Sequence, residues 1–379
     1  CFFKQETVLC AAVSLAIISM LFVHPDSKYI NYIDYRTLAI LFCLMSVMTG
    51  LQKTGLFQYV AQKLLNRVNR ARQLVLLLVL LCFFSSMLVT NDVALITFVP
   101  FTFIVLDMIG PEAKRQLIVP VVVLQTVAAN LGSMLTPVGN PQNLYLYGKA
   151  DLSLGSFVLL TLPYASVALL IIIIWSLVQS KSYKDPVHVS FKKNVALSGN
   201  SARLAIYIGL FVLDLFTVAR MIPYGVTFAV TAIILLLTDK SIFCRVDYSL
   251  LLTFIGFFIF IGNIGRLPAF SQILQRIVAG NEILAGVAAS QIISNVPAAL
   301  LLSGFTKDFS TLIIGVNLGG LGTMIASMAS LISYKLVVRE ESRIKGSYFC
   351  YFTVVNICFL VLLLMFALFK EFFSFLFFQ

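Results

Sequence analysis

The stretch ANLGSMLTPVGNPQNLYLY, residues 129–147, decides how this chain reads. It continues the apolar run 117–128, yet it carries Asn130, Asn140 and Asn143, Gly132 and Gly139, Pro137 and Pro141, Ser133, Thr136 and Gln142. Lipid offers no water to backbone N–H and C=O groups, so a spanning segment must satisfy them internally. Two prolines remove donors and interrupt a helical ladder. A break of this kind is tolerated at membrane depth only where protein covers it or where it lines a cavity.

The surrounding sequence places this stretch at membrane depth. The chain of 379 residues is 60% hydrophobic and 11% charged, with mean hydropathy +0.99, well outside the usual range for soluble domains. Apolar runs recur at 7–23, 37–51, 74–89, 93–109, 117–128, 155–178, 203–219, 223–237, 248–264, 311–316 and 350–369. A helix crosses a bilayer with about 20 such residues, so an all-α polytopic membrane protein is expected, with no soluble domain between spans. Lys4 before an apolar run reads as the first span rather than a leader, and the start at Cys1 rather than Met points to a trimmed N-terminus. The seven cysteines form no CxxC, and His24 and His188 lie apart in loops. No transition-metal site or disulfide framework is expected, and the cysteines read as small apolar packing residues. There is no HExxH and no nucleotide loop, so neither an enzyme nor a resident cofactor is expected.

The net charge of +11 reads as positive charge on cytoplasmic loops, with no nucleic-acid partner. Loop 52–73 holds Lys53, Lys63, Arg67, Arg70 and Arg72; loop 179–203 holds Lys181, Lys184, Lys192, Lys193 and Arg203; loop 335–347 holds Lys335, Arg339, Arg343 and Lys345. Parity between these loops holds if 281–303 enters and leaves by one face. Its core, GVAASQIISNVPAALLLSG (286–304), centres on Ser-Asn-Val-Pro, with arms too short to cross. A re-entrant hairpin is expected there, with a single kinked span as the alternative. The chain is placed in the lipid bilayer of a bacterial inner membrane, N-terminus cytoplasmic and C-terminus outside.

The halves resemble each other. IDYRTLAILFCLMSVMTGL (33–51) aligns with VDYSLLLTFIGFFIFIGNI (246–264), pairing Asp34 with Asp247. VTNDVA (89–94) aligns with ISNVPA (293–298). NLGSMLTPVGNPQNL (130–144) aligns without a gap on NLGGLGTMIASMASL (317–331), pairing Asn130 with Asn317, Gly132 with Gly319 and Thr136 with Thr323. The parity count makes the halves inverted, as in many secondary transporters. Repeat 1 covers 1–178, with a hairpin at about 74–109 and a broken helix at about 117–147. A cytoplasmic linker covers 179–202. Repeat 2 covers 203–379, with a hairpin at about 281–303 and a broken helix at about 311–334.

Each break exposes N–H groups that favour an anion and C=O groups that suit a hard cation. Gly132, Gly139, Gly319, Gly320 and Gly322 permit close backbone approach. Asp92 is an intramembrane carboxylate and so a functional candidate. It can bind Na+, carry a coupling proton once burial favours its neutral form, or cap the helix that follows. Asp107 reads as interfacial, beside Lys114 and Arg115. Asp214, inside a span, reads either as the structural partner of Arg220 or of another helix, or as a functional group. FQYVAQKLLNRVNRAR (57–72) reads as an amphipathic surface helix with Phe57, Val60, Leu64, Leu65 and Val68 toward lipid, and FSQILQRIVAG (270–280) is its counterpart. Each serves as a lipid anchor or as an arm joining scaffold to moving part.

Four motifs, TNDVALITFVPF (90–101), TPVGNPQNLYLY (136–147), SNVPAALLLSG (294–304) and GVNLGGLGTMIASMASLISYK (315–335), resemble the citrate-transporter-like permeases of the ion transporter superfamily. That group is similar to divalent-anion:sodium symporters and to arsenical pump membrane proteins. The resemblance implies inverted repeats, each with a re-entrant helical hairpin and a discontinuous transmembrane helix, and an elevator-type motion. In the symporter branch both hairpin tips read Ser-Asn-Thr. Here they read Thr90-Asn91-Asp92 and Ser294-Asn295-Val296, and the Asn-Asp pair is closer to the arsenical-pump branch. The expected function is a secondary active transporter of a small anion, such as a di- or tricarboxylate, coupled to Na+ or H+. The alternatives are an arsenite- or antimonite-type efflux permease and a cation/proton antiporter. The substrate is assigned to Asn91, Asn295, Thr136, Pro137, Asn140 and Thr323. The coupling ion, Na+ included, is assigned to Thr90, Asn91, Asp92, Gly132, Gly139, Ser294, Asn295, Gly319, Gly322 and Ser327. A homodimer is implied by the symporter branch.

Overall fold

The computed structural model describes residues 6–65, 68–179 and 201–377. Cys1, Lys4, Arg67 and His188 lie outside the described residues, as does most of the 179–202 linker with Lys181, Lys184, Lys192 and Lys193. Among the described residues the secondary structure is helical, and eight helices are long and apolar enough to cross a membrane. These are Tyr35–Lys53, Ala71–Leu88, Asn91–Ile109, Pro111–Leu135, Leu154–Gln179, Ser201–Val218, Tyr248–Gly265 and Ser342–Phe372. Val8–Phe22, Tyr224–Thr238, Glu282–Ile293 and Phe309–Leu318 are shorter apolar helices.

The chain folds into two compact units, and neither is a sequence half. The first unit takes Cys1–Lys53, Pro141–Leu154 and Gly199–Val316; the second takes Thr54–Asn140, Gly155–Ser198 and Asn317–Gln379. The chain passes from one unit to the other at Asn140/Pro141 and at Val316/Asn317, within or beside the broken helices.

In the second unit, helix Pro111–Gly132 is the core. Every residue from Pro120 to Gly132 is buried. Helices Ala71–Leu88 and Asn91–Ile109 pack along it, with Met328–Glu340 and the long C-terminal helix Lys345–Phe377. Pro111 opens this helix at N1/N2, where its missing N–H costs no bond. Gly132 closes it against Ala71–Leu88: a Cβ there would lie 2.7 Å from Ser86 Oγ and collide with the Phe83 carbonyl. Lys114 bridges Asp107 at 2.8 Å and Glu340 at 2.7 Å, in keeping with an interfacial Asp107.

In the first unit, the helices of the aligned pair 33–51 and 246–264 start alike. Asp34 Oδ1 accepts from Thr37 N at 3.0 Å, and Asp247 Oδ1 accepts from Leu250 N at 3.0 Å. Both aspartates thus satisfy a first-turn donor. Helix Val8–Phe22 packs on Tyr248–Gly265, where Asn263 Nδ2 donates to Ser19 Oγ at 2.9 Å and to Tyr29 OH at 2.8 Å. Glu282–Ile293 passes close to Phe309–Leu318 because both carry glycine at the crossing: a Cβ on Gly286 would sit 2.9 Å from Gly315 C.

Three expectations change. The stretch 57–72 is not one helix: Leu56–Leu65 is helical, 68–70 are not, and 71–72 open helix Ala71–Leu88; Leu65 and Val68 are buried rather than lipid-facing. Ala61, Gln62 and Leu65 make its buried face at helical spacing, which leaves Val60 and Leu64 exposed. The counterpart helix Pro268–Val278 does expose Phe270, Ile273 and Ile277. Arg220 pairs with Asp151, not Asp214. It lies beyond the end of helix Ser201–Val218, in a turn with φ 64°, and stacks over Tyr147 at 5.3 Å.

Candidate functional site

The first hairpin has arms of 18 and 19 residues, Ala71–Leu88 and Asn91–Ile109. Those of the second are 12 and 9 residues, Glu282–Ile293 and Asn295–Ser303. At 1.5 Å per residue the second pair rises only about 18 and 14 Å, short of a hydrocarbon core of roughly 30 Å. At the first tip Thr90, not Asp92, is the N-cap: its Oγ1 accepts from Val93 N at 3.4 Å. Thr90 is extended, as a cap requires, so Asp92 falls in the first turn, where a carboxylate complements the helix dipole.

The two helix breaks coincide under the ungapped alignment. The first runs through the 3₁₀ turns Ser133–Leu135 and Pro137–Gly139, and helix Pro141–Lys149 follows. In the second, Phe309–Leu318 ends and Met328–Glu340 begins. The alignment pairing Asn130 with Asn317 also pairs Pro141 with Met328, the first residue of each second half-helix. Gly322, in the second break, has φ 100°, which favours glycine.

Asn130 is the junction of the second unit. Its Oδ1 accepts from Asn91 Nδ2 at 3.0 Å and from Ser327 Oγ at 2.9 Å. Its Nδ2 faces Gly320 O at 3.5 Å. Asn91 opens helix Asn91–Ile109, and Ser327 caps helix Met328–Glu340 by accepting from Ala329 N at 3.2 Å. Two helix N-termini therefore meet across one buried amide. The first break is tied in from below. Ser133 Oγ donates to Asn130 O at 2.9 Å and accepts from Asn140 Nδ2 at 2.5 Å. Thr136 Oγ1 donates to Met87 O and accepts from Gly139 N at 3.2 Å. A Cβ on Gly139 would lie 2.8 Å from Ser133 C, so only glycine closes this turn without displacement. Pro137 is buried in the same turn.

Asn91, Asn140, Ser327, Gly132 and Gly139 thus gather around Asn130 and Ser133, with Thr90 and Asp92 at the edge. Gly319 is buried in the second break, and Thr323 is exposed, unlike its half-buried repeat partner Thr136. Ser294 and Asn295 belong to the first unit, where both are buried. Ser294 has φ 74° and ψ 154°, a region that is essentially glycine's. Helix Asn295–Ser303 is held there through Ser303, whose Oγ lies 2.9 Å from Tyr145 OH. The roles of Asn130 and Ser133 were not foreseen, although the Asn130/Asn317 identity of the repeat was a signal for the first.

Chemically, the junction offers donors and short oxygens and few charges. An Asn amide has two N–H donors, so Asn91 and Asn140 each retain a second beyond the bond described. Hydroxyl and carbonyl oxygens suit a hard monovalent cation. Among the described residues no three His, Cys, Asp or Glu come together as a metal cluster.

Residues 4–311 match the family described as Citrate transporter. The chain belongs to that family. This citrate transporter family member is similar to an uncharacterised transporter of Methanocaldococcus jannaschii, 32% identical over 308 residues, covering 81% of this chain and 82% of the relative. It is also similar to the inner membrane protein YbiR of Escherichia coli, 29% identical over 316 residues, covering 80% of each chain. Part of it is similar to a silicon efflux transporter of Oryza sativa, 32% identical over 142 residues, covering 37% of this chain and 28% of the relative. The family and these relatives make the chain a secondary transport protein rather than an enzyme.

Proposed function

We propose that this citrate transporter family member carries a small anion, such as a di- or tricarboxylate, coupled to Na+ or H+, by elevator-type alternating access. One observation carries the reading: the N-termini of Asn91–Ile109 and Met328–Glu340 converge on Asn130, through Asn91 and Ser327. Each N-terminus carries the equivalent of about half a positive charge, which favours a carboxylate nearby. Asp92, one residue into the first helix, supports a cationic co-substrate, because an anion beside it is better held with a cation or proton present.

The test is purified protein in liposomes, with uptake of citrate, succinate and sulfate followed under imposed Na+ and pH gradients. Gradient-dependent uptake of one of them, reduced in Asn91→Ala, is expected. No uptake of any would defeat the reading. A second reading, efflux of a small uncharged oxyacid, has support in the similarity to the silicon efflux transporter and in Asp92, whose charge disfavours an anion. Vesicles loaded with arsenite or silicic acid, losing them only under a proton gradient, would select it.

A further inference from the structure

Asp214 lies in the middle of the candidate span Ser201–Val218, fully buried in the first unit. Among the described residues neither of its carboxylate oxygens has a hydrogen-bond partner. An ionised carboxylate buried without partners carries a very large desolvation cost, so such a group is held neutral or serves a function. Arg220, which sequence spacing suggests as its partner, is engaged by Asp151.

Polar side chains lie along the buried face that carries Asp214, interrupted by Leu210 between Tyr207 and Asp214. Helix Ser201–Val218 buries Tyr207, Leu210, Asp214 and Thr217 at helical spacing. That face packs on helices Tyr35–Lys53 and Tyr224–Thr238. From the first, the buried Cys43 lies within electrostatic range of the Asp214 carboxyl. From the second come Thr231 and Thr227, both buried, and Thr227 Oγ1 lies 2.5 Å from Thr217 Oγ1. Cys43 is the titratable side chain these two helices bring toward Asp214, and among the described residues no Lys or Arg forms an ion pair with it.

This face runs toward charged groups at both ends. At one end Tyr207 OH donates to Asp239 Oδ2 at 3.2 Å, and Lys53 Nζ holds the same oxygen at 2.7 Å. Lys53 and Ser241 keep the Asp239 carboxyl ionised, well below the usual carboxylate range at about 2. Gly50 leaves the room Tyr207 occupies: a Cβ there would meet its ring, with Cζ at 2.7 Å. At the other end, past Thr217, stand Arg220 and Asp151. Tyr207 and Asp214 are two helical turns apart, about 10 Å of rise.

We propose that Asp214 is a proton-binding station, reached along this seam of the first unit and separate from the anion site of the second. A proton from hydronium at the Tyr207–Asp239 end adds to the carboxylate, giving the neutral acid and water; release toward the Thr217–Thr227 end returns the carboxylate and a hydronium ion. Proton binding stands without the anion reading. Its use in coupling rests on that reading.

Two measurements separate these claims. Infrared difference spectroscopy of wild-type protein in lipid, titrated with pH, should show a protonated-carboxyl C=O band that shifts in D2O and is lost in Asp214→Asn. A spectrum unchanged by the substitution at every pH would overturn the proposal. In liposomes, Asp214→Asn should lose pH-driven anion uptake while keeping anion-dependent thermal stabilisation, since the anion site lies in the other unit. Wild-type pH-driven uptake in Asp214→Asn would overturn the coupling role. If wild-type protein moves no anion at all, the transport reading fails, and the infrared band alone decides Asp214. Asp214→Asn keeps the shape of the neutral acid; Asp214→Leu, which removes the polar group, should lose the band and the uptake alike, and retention of either would count against the station.

Discussion

Replacing Asn130 by Ala and by Asp distinguishes a structural junction from an anion site. In Asn130→Ala, two donors lose their acceptor: Asn91 Nδ2, now at 3.0 Å, and Ser327 Oγ, now at 2.9 Å. The Nδ2 contact to Gly320 O at 3.5 Å is too long to add much. A buried donor left unsatisfied costs about 1–3 kcal/mol. Two give about 2–6 kcal/mol, and water entering the space left by the amide lowers this toward about 2–4. In Asn130→Asp both donors keep an oxygen acceptor, and their charge-assisted bonds, about 1.5–3 kcal/mol each, work against the desolvation cost of a carboxylate at this buried position. The added charge also acts on binding. At about 4 Å and an effective dielectric of about 20, two like charges repel by roughly 4 kcal/mol. Ligand at about 100 times Kd stabilises by only about 2.7 kcal/mol, so anion-dependent stabilisation should vanish. The assay is thermal unfolding of detergent-purified protein across a citrate, succinate and sulfate series. Asn130→Ala should unfold well below wild type, and Asn130→Asp should show no response to anion. An anion response in Asn130→Asp equal to wild type would refute the reasoning, as would wild-type stability in Asn130→Ala.

Other expectations rest on backbone and charge. Gly132→Ala should lower stability by about 1–3 kcal/mol, the range for overpacking, because the new Cβ meets the Phe83 carbonyl and Ser86 Oγ; an unchanged unfolding midpoint would show that the helix ends otherwise. At Ser294, with φ 74°, glycine should be more stable than alanine by about 1–3 kcal/mol, a comparison in which both variants lack the hydroxyl; equal midpoints would remove the strain. Asp239 is lowered to about 2 by Lys53 and Ser241, from an ordinary value of 3.8. Its contribution is therefore complete above about pH 4 and fades as pH falls toward 2. Thermal unfolding followed from pH 5 to 2 should show this slope in wild type and a flatter one in Lys53→Met.

The candidate site was partly legible in sequence. Gly132 and Gly139 announced close approach, and the structure places Cβ collisions at both. The pairing of Asn130 with Asn317 marked the repeated breaks, and Pro141 and Met328 begin matching half-helices. Other features were hidden because they depend on the third dimension. The bonds from Asn91 and Ser327 to Asn130 Oδ1 join residues far apart in the chain. Ser133 looked like one polar residue among several, yet it links Asn140 to the end of the core helix. Arg220 turned from Asp214 to Asp151 because its turn lies past the helix end, a position that spacing along a helix does not describe.

What the sequence by itself determined was the class of protein and the places where its helices stop. Apolar runs of spanning length leave helices as the economical way to satisfy the backbone in lipid, and proline, glycine and amide clusters cannot continue such runs. Only the tertiary structure decided which breaks meet. The compact units interleave the two halves, so that hairpin tip Asn91 and break residues Asn130, Asn140 and Ser327 share one unit while Ser294 and Asn295 fall in the other. Local periodicity reports how a segment folds, and the choice between partners rests on packing between segments distant in sequence. The burial of Asp214 without a hydrogen-bond partner among the described residues belongs to the same category, since nothing in its own helix indicates what Tyr35–Lys53 and Tyr224–Thr238 bring against it.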